Sequence, residues 1–262
     1  FSRCVGKGIP YDTKSVNVEG GSGVSLKFNG TTSYVESKFR GDLSEHTTIL
    51  ITIDPDDVVC DVDKPNDRYT ALSIPTLDLS ISYDSFRRFK IQFKDENEWA
   101  YINSNLMQPQ KTTLLVTIDN HRKRVKFYQD GEIVGEYKFK RDFKKTTGSS
   151  LFIGSKDGET EFFKGNISQV AIFNNILYPN EIIEVSKNDV FSLTMSFGDY
   201  NSDGELSQYY DMKQIKSYRL VDLTNEGESA EIINCEIVKN EYKREKILNL
   251  PFRRPSIFKT LS

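Results

Sequence analysis

Two short constellations carry side chains suited to chemistry. In Asp199-Tyr200-Asn201-Ser202-Asp203-Gly204-Glu205-Leu206-Ser207, oxygen-bearing residues recur at alternate positions. Asp199, Asn201, Asp203 and Ser207 match ligand positions of a calcium loop, and Gly204 stands where such a loop bends sharply. The last ligand position holds Tyr210 instead of the Glu that supplies two oxygens, so an Asx-rich turn is the alternative reading. A second acidic group, Asp54, Asp56 and Asp57 with Asp61, Asp63 and Asp67, reads either as a cation site or as a solvated loop. Calcium is the one cofactor for which the chain offers ligands, and none is certain.

Trp99 and Tyr101 alternate beside Asn97, Asn103 and Asn105. An aromatic face next to planar amides suits a saccharide, whose ring stacks while its hydroxyls are hydrogen-bonded. The candidate carbohydrate-binding residues are therefore Trp99, Tyr101, Asn103 and Asn105, with Tyr69 and Tyr83 weaker; the alternative is that Trp99 packs in the core or covers a sheet edge. Asn29-Gly30-Thr31 and Asn166-Ile167-Ser168 fit the N-glycan acceptor pattern, Asn29 reading first as turn chemistry. Catalysis has fewer parts. Glycoside hydrolysis needs two carboxyl groups about 5–9.5 Å apart, yet the acidic runs at Asp95-Glu96-Asn97-Glu98 and Glu226-Gly227-Glu228 sit in turn-like stretches. His46 and His121, both beside turns, assemble no Ser/His/Asp triad. The expectation is a chain that is not an enzyme. Cys4, Cys60 and Cys235 lie far apart without a CxxC pair, which argues against zinc and a disulfide scaffold but leaves one bridge open.

The elements that must position these groups are strands. Of 262 residues, 37% are hydrophobic, and 17 Phe and 13 Tyr accompany one Trp, which suits a packed core and not a disordered chain. Lys and Arg total 35 against 38 Asp and Glu, so the net charge of -3 offers no field for nucleic acid. No apolar run reaches the roughly 20 residues of a membrane helix. The chain starts at Phe1 without Met and reads as a processed or excised piece. Val24 to Phe28 alternates into Asn29-Gly30, a hairpin signal. Thr47 to Ile53 is β-branched at nearly every position, as for a strand covered on both faces. Leu72–Tyr83, Phe89–Phe93, Leu114–Ile118 and Val125–Tyr128 continue the strands, and Asp130-Gly131 reverses the chain into Ile133 to Phe139. Leu151–Gly154, Ile167–Phe173, Phe191–Phe197 and a last strand over Glu231–Val238 follow, with one helix over Pro179–Val185.

Residues Ser25 to Val35, the Val125–Val134 hairpin, Leu151–Gly154 and Phe163–Phe173 running on to Ile182 resemble, in order and spacing, the signatures of laminin-G-like modules of the concanavalin-A-like lectin/glucanase superfamily. Leu193 to Gly227 is similar to the segment that often follows such modules. The resemblance implies an all-β, antiparallel two-sheet jelly-roll sandwich of concanavalin-A-like type, with one short helix and extended tails. It divides into an extended segment 1–23, the sandwich 24–186, added strands 187–242 and a basic tail 243–262. Where calcium-binding modules of this family place acids, this chain reads Asn29, Ser33 and Ser168. The resemblance also implies a non-catalytic lectin-like module that recognises glycans or a glycosylated surface, extracellular or on a particle surface. The alternative is a structural or protein-interaction domain of a surface assembly such as a virus or phage particle, with the tail docked on protein neighbours.

Overall fold

A computed structural model describes residues 23–56, 68–105, 110–143, 148–187, 191–224 and 229–240. The expected extended N-terminal segment and basic tail, and Cys4, Cys60, Asp57, Asp61, Asp63 and Asp67, lie outside these residues. The strands are β1 (Gly23–Asn29), β2 (Tyr34–Lys38), β3 (His46–Pro55), β4 (Arg68–Ile74), β5 (Leu79–Asp84), β6 (Phe89–Asp95), β7 (Glu98–Asn103) and β8 (Thr112–Asp119). They continue as β9 (Arg124–Gln129), β10 (Glu132–Lys138), β11 (Ser150–Ile153) and β12 (Lys164–Phe173). After the α-helix α1 (Pro179–Lys187) come β13 (Leu206–Lys216), β14 (Arg219–Asp222), β15 (Ala230–Ile233) and β16 (Glu236–Asn240).

The described residues are all-β apart from α1 and two short 3-10 turns. Hydrogen bonds join the strands in one path, β10-β9-β8-β3-β12-β13-β14-β15-β2-β11-β4-β5-β6-β7, with β1 added to β12 and β16 to β1. That path folds back until its ends meet. Phe93 of β6 packs edge-on against Tyr137 of β10 with ring centroids 5.4 Å apart, and a Cβ on Gly135 of β10 would stand 2.9 Å from Ile102 of β7. Inward side chains from both halves, among them Ile51, Val116 and Phe127 on one side and Leu72, Ile81 and Phe93 on the other, share one buried core.

Local sequence explains most of this. Thr47 to Ile53 is buried throughout, because a second cluster covers the far side of β3, β8 and β12. Leu50, Leu115, Ala171 and Phe173 pack there under Ile182 and Val185 of α1 and under Leu193 and Tyr200. The Asp130-Gly131 reversal has φ values of 51° and 87°, the two positive angles a tight hairpin turn requires, and joins β9 to β10.

Three expectations are corrected. Asn29-Gly30 does not close a hairpin: β1 pairs with β12 and β16, while β2 pairs with β11 and β15. Only Gly30 of the two has positive φ, and the Asn29 Oδ1 instead accepts the N–H groups of Thr31 at 2.8 Å and Thr32 at 2.9 Å. The turn is therefore an Asx turn that sends the chain to a different part of the path. Phe191 to Phe197 is not a strand but a string of turns; its apolar residues cap the second cluster, Leu193 buried and Phe191 stacked on Phe197 at 5.0 Å. The last strand is two, because Asn234 takes φ 53° and breaks the run. β15 then pairs with β2 and β14, and β16 with β1.

Two carboxylates tie distant segments together. Asp95, 4% exposed, accepts the backbone N–H groups of Lys140 at 3.0 Å and Arg141 at 3.1 Å and the Tyr137 hydroxyl at 3.2 Å. Burial alone would raise its pKa. The N–H groups of Arg141 and Lys140, then Tyr137, outweigh that and hold it below the ordinary 3.8. Glu181, 3% exposed, accepts the Tyr178 N–H at 2.9 Å across the first turn of α1, the Asn201 N–H at 3.0 Å and the Ser202 hydroxyl at 2.7 Å. It caps the helix and clamps the 199–203 loop to it.

A depressed carboxyl pKa contributes stability above the unfolded value, and that contribution is lost as pH falls through the folded one. Asp95→Asn should therefore lower stability at pH 7 by roughly 1–2 kcal/mol and make the stability loss below about pH 4 shallower than in the wild type. Urea unfolding from pH 2 to 7 reads both; parallel acid profiles would refute the assignment. Glu181→Ala leaves three donors without their acceptor and should cost roughly 3 kcal/mol, read as a fall in the unfolding midpoint. A change under about 0.5 kcal/mol would mean the clamp is dispensable.

Candidate functional site

Along β4 to β7 the strands alternate between the core and an outer face. Tyr83, Ile91, Phe93, Ala100 and Ile102 point inward and are buried. The other parity places Arg68 and Thr70 on β4, Ser80 and Ser82 on β5, Lys90, Gln92 and Lys94 on β6, and Trp99, Tyr101 and Asn103 on β7. Register aligns Lys94 with Trp99, Gln92 with Tyr101 and Lys90 with Asn103.

β7 ends the path, so among the described residues it is hydrogen-bonded to β6 alone. Trp99 is 43% exposed and Tyr101 41%. The indole is thus neither a core residue nor hidden, and the structure brings Trp99, Tyr101 and Asn103 onto one face. Asn105 lies past the end of β7, exposed, its carbonyl accepting the Ser104 hydroxyl at 2.9 Å. The weaker candidates part company: Tyr83 is buried in the core and Tyr69 is half-buried against it.

Three residues of this face have no place among the sequence candidates. Arg68 Nη1 donates to Gln92 Oε1 at 2.6 Å. Lys90 Nζ lies 4.9 Å from the centre of the Tyr101 ring, a cation–π contact. Burial, and then the neighbouring Arg68 charge, lowers the Lys90 pKa. The alternation Phe89-Lys90-Ile91-Gln92-Phe93 marks Lys90 and Gln92 as outward-facing, but nothing local says that Arg68 and Tyr101 lie beside them. Two carboxylates near this face are engaged. Arg88 holds Asp84 with Nε at 3.0 Å and Nη2 at 2.8 Å. Glu161 accepts Lys156 Nζ at 3.0 Å and the Thr70 hydroxyl at 3.0 Å.

In the loop from Asp199 to Ser207, the side chains considered for calcium turn to different partners. Asp203 accepts the Ser196 hydroxyl at 2.6 Å, and the Asn201 amide donates to the Asp199 carbonyl at 3.2 Å. Ser207 donates to the Ile172 carbonyl at 3.1 Å, along β12. A 3-10 turn over Asp203–Glu205 and the Glu181 clamp shape the segment. Among the described residues no three His, Cys, Asp or Glu side chains are grouped to hold a metal ion. In the second acidic group, Asp56 pairs with Lys27 at 3.4 Å.

The histidines meet at another rim, ring centroids 4.7 Å apart, His46 3.5 Å from Asp119 and His121 3.1 Å from Glu45. Asn166 lies within β12, paired on one side with β1 and on the other with β3, which puts that glycan acceptor inside a formed sheet. The Cys235 thiol is free and pushed by burial up to about 12, so it stays protonated at neutral pH.

A family profile described as the concanavalin A-like lectin/glucanases superfamily, of laminin-G type, matches residues 29–183. No curated protein matches the sequence. Among solved structures the chain is similar to a candidate carbohydrate-binding protein from Bacteroides ovatus, at 13% identity and TM-score 0.61, over 84% of this chain and 61% of that one. It is also similar to a heptameric SAP-like pentraxin from Limulus polyphemus, at 14% identity and TM-score 0.54, over 84% of this chain and 96% of that one. At such identities the likeness concerns the fold. With more than half its length matched by that profile, the chain belongs to the laminin-G-like family of the concanavalin A-like lectin/glucanase superfamily.

Proposed function

We propose that this protein is a non-catalytic, lectin-like module that binds glycans through the outer face of β4 to β7. The observation that carries this is the outward row on β7, where Trp99 and Tyr101 present exposed rings beside Asn103 and within one strand of Gln92. Exposed aromatic side chains of this size lose water favourably when a sugar ring stacks on them, and the amides supply directional hydrogen bonds. Membership of the superfamily and the carbohydrate-binding description of the Bacteroides ovatus relative support the reading.

In this reading the two halves of the strand path act as facing layers of a jelly-roll sandwich, the segment 187–242 completing what 24–186 begins. Recognition takes place outside the cell or on a particle surface. Asp84 and Glu161 are already engaged by cations and act as structure, not as an acid pair. In this reading calcium takes no part at the face; in the 199–207 loop the Asn201, Asp203 and Ser207 side chains bond to other partners. The alternative of an interaction domain in a surface assembly rests on the segment 243–262, outside the described residues.

A glycan array followed by calorimetry on the best ligand tests this. Trp99→Ala and Tyr101→Ala should each weaken binding about tenfold, roughly 1.4 kcal/mol, with unfolding midpoints unchanged because both side chains lie at the surface. Chelation with EDTA should leave affinity as it was. An array without a single binder, or variants that bind as the wild type does, would remove the proposal.

A further inference from the structure

We propose that the saccharide taken by this face carries a carboxylate, received by Arg68 and Lys90. This rests on the glycan reading and narrows it to acidic sugars.

Among the described residues this face carries cations without ion-pair partners of their own. Strand alternation brings Arg68, Lys90 and Lys94 to the same face, and among the described residues none of them makes an ion pair. The nearby acids have other partners: Asp84 is held by two nitrogens of Arg88, and Glu161 by Lys156 and the Thr70 hydroxyl. Asp84 and Glu161 still offset part of the Lys90 charge, but with both acids paired elsewhere the three cations on one face favour an anion over a neutral sugar.

Geometry then selects the anion. Gln92 is 6% exposed, and its 2.6 Å bond to Arg68 Nη1 fixes the guanidinium over the sheet. A guanidinium anchored at one nitrogen keeps further N–H donors in its plane, and a carboxylate accepts two of them side by side. Lys90 lies over the Tyr101 ring, so its ammonium stands next to the aromatic surface on which the sugar would stack. Its ammonium is partly stripped of water and repelled by Arg68, which lowers its pKa. An arriving carboxylate would offset the Arg68 repulsion and favour the charged ammonium. Ring and acid would thus be read together, the ring by Trp99 and Tyr101 and the acid by Arg68 and Lys90.

The test uses matched probes on the full chain: sialyllactose and trigalacturonic acid, the methyl ester of each, lactose, and sulfated lactose. An acid should bind at least about tenfold more tightly than its own ester, and the gap should shrink as salt rises. Arg68→Gln should bring the acid down to the ester's affinity while leaving the ester unchanged, and Lys90→Gln should narrow the gap in part. The comparison of acid with ester on wild-type protein stands whether or not a variant folds. Equal binding of acid and ester, binding of lactose alone, or a preference for the sulfated probe overturns the carboxylate while glycan binding survives. Failure of every probe to bind, in a protein that also finds no ligand on the array, overturns both.

Discussion

A sheet with one apolar face must cover that face or associate through it, and here the strand path covers its own. Alternate residues of fourteen successive strands point to a common interior, so the path has to bend until its two halves face one another. Where the ends meet, Asp95 holds β6 to the segment that follows β10, taking two backbone N–H groups and the Tyr137 hydroxyl. The donors all belong to β10 and the segment after it, and the buried carboxylate that satisfies them together belongs to β6. Without it, the terminal strands would meet through apolar contact alone.

The same bend makes the two outer faces unequal. Over β3, β8 and β12 the far side is apolar, and α1 with the 191–203 segment covers it, held by Glu181. Over β4 to β7 the far side is Ser, Thr, Gln, Lys and Arg, with Trp99 and Tyr101 at the margin. On this face Thr70, Ser82 and Gln92 are buried while Trp99 and Tyr101 at its margin reach solvent, and the carboxylates Asp84 and Glu161 beside its cations are paired with Arg88 and Lys156. One half is thus covered for structure, and the other carries the face proposed for recognition.

Sequence reading succeeded where a residue's neighbours along the chain decide its environment. Thr47 to Ile53 declared a strand buried on both faces because β-branched residues in unbroken succession have no polar side to turn outward. Asp130-Gly131 declared a tight hairpin because both residues tolerate positive φ. It failed where partners were distant. Asn29-Gly30 announced a reversal, but a turn signal does not say which strand the chain meets next. Phe191 to Phe197 has the composition of a strand, and only the exposed apolar surface under it made it a cap. The single residue Asn234 divided a run that alternates without interruption.

The sequence by itself determined the all-β architecture, the helix after β12 and the shared parity of Trp99, Tyr101 and Asn103, since side-chain alternation in a strand follows from backbone geometry alone. Tertiary structure decided that Trp99 sits on the last strand of the path and stays in solvent, that Glu181 reaches the 199–203 loop, and that Arg68, Lys90 and Tyr101 share a surface. Those facts depend on which strands lie side by side. Pairing between strands is set by the burial of the whole inner face, a sum over the entire path that no local segment contains.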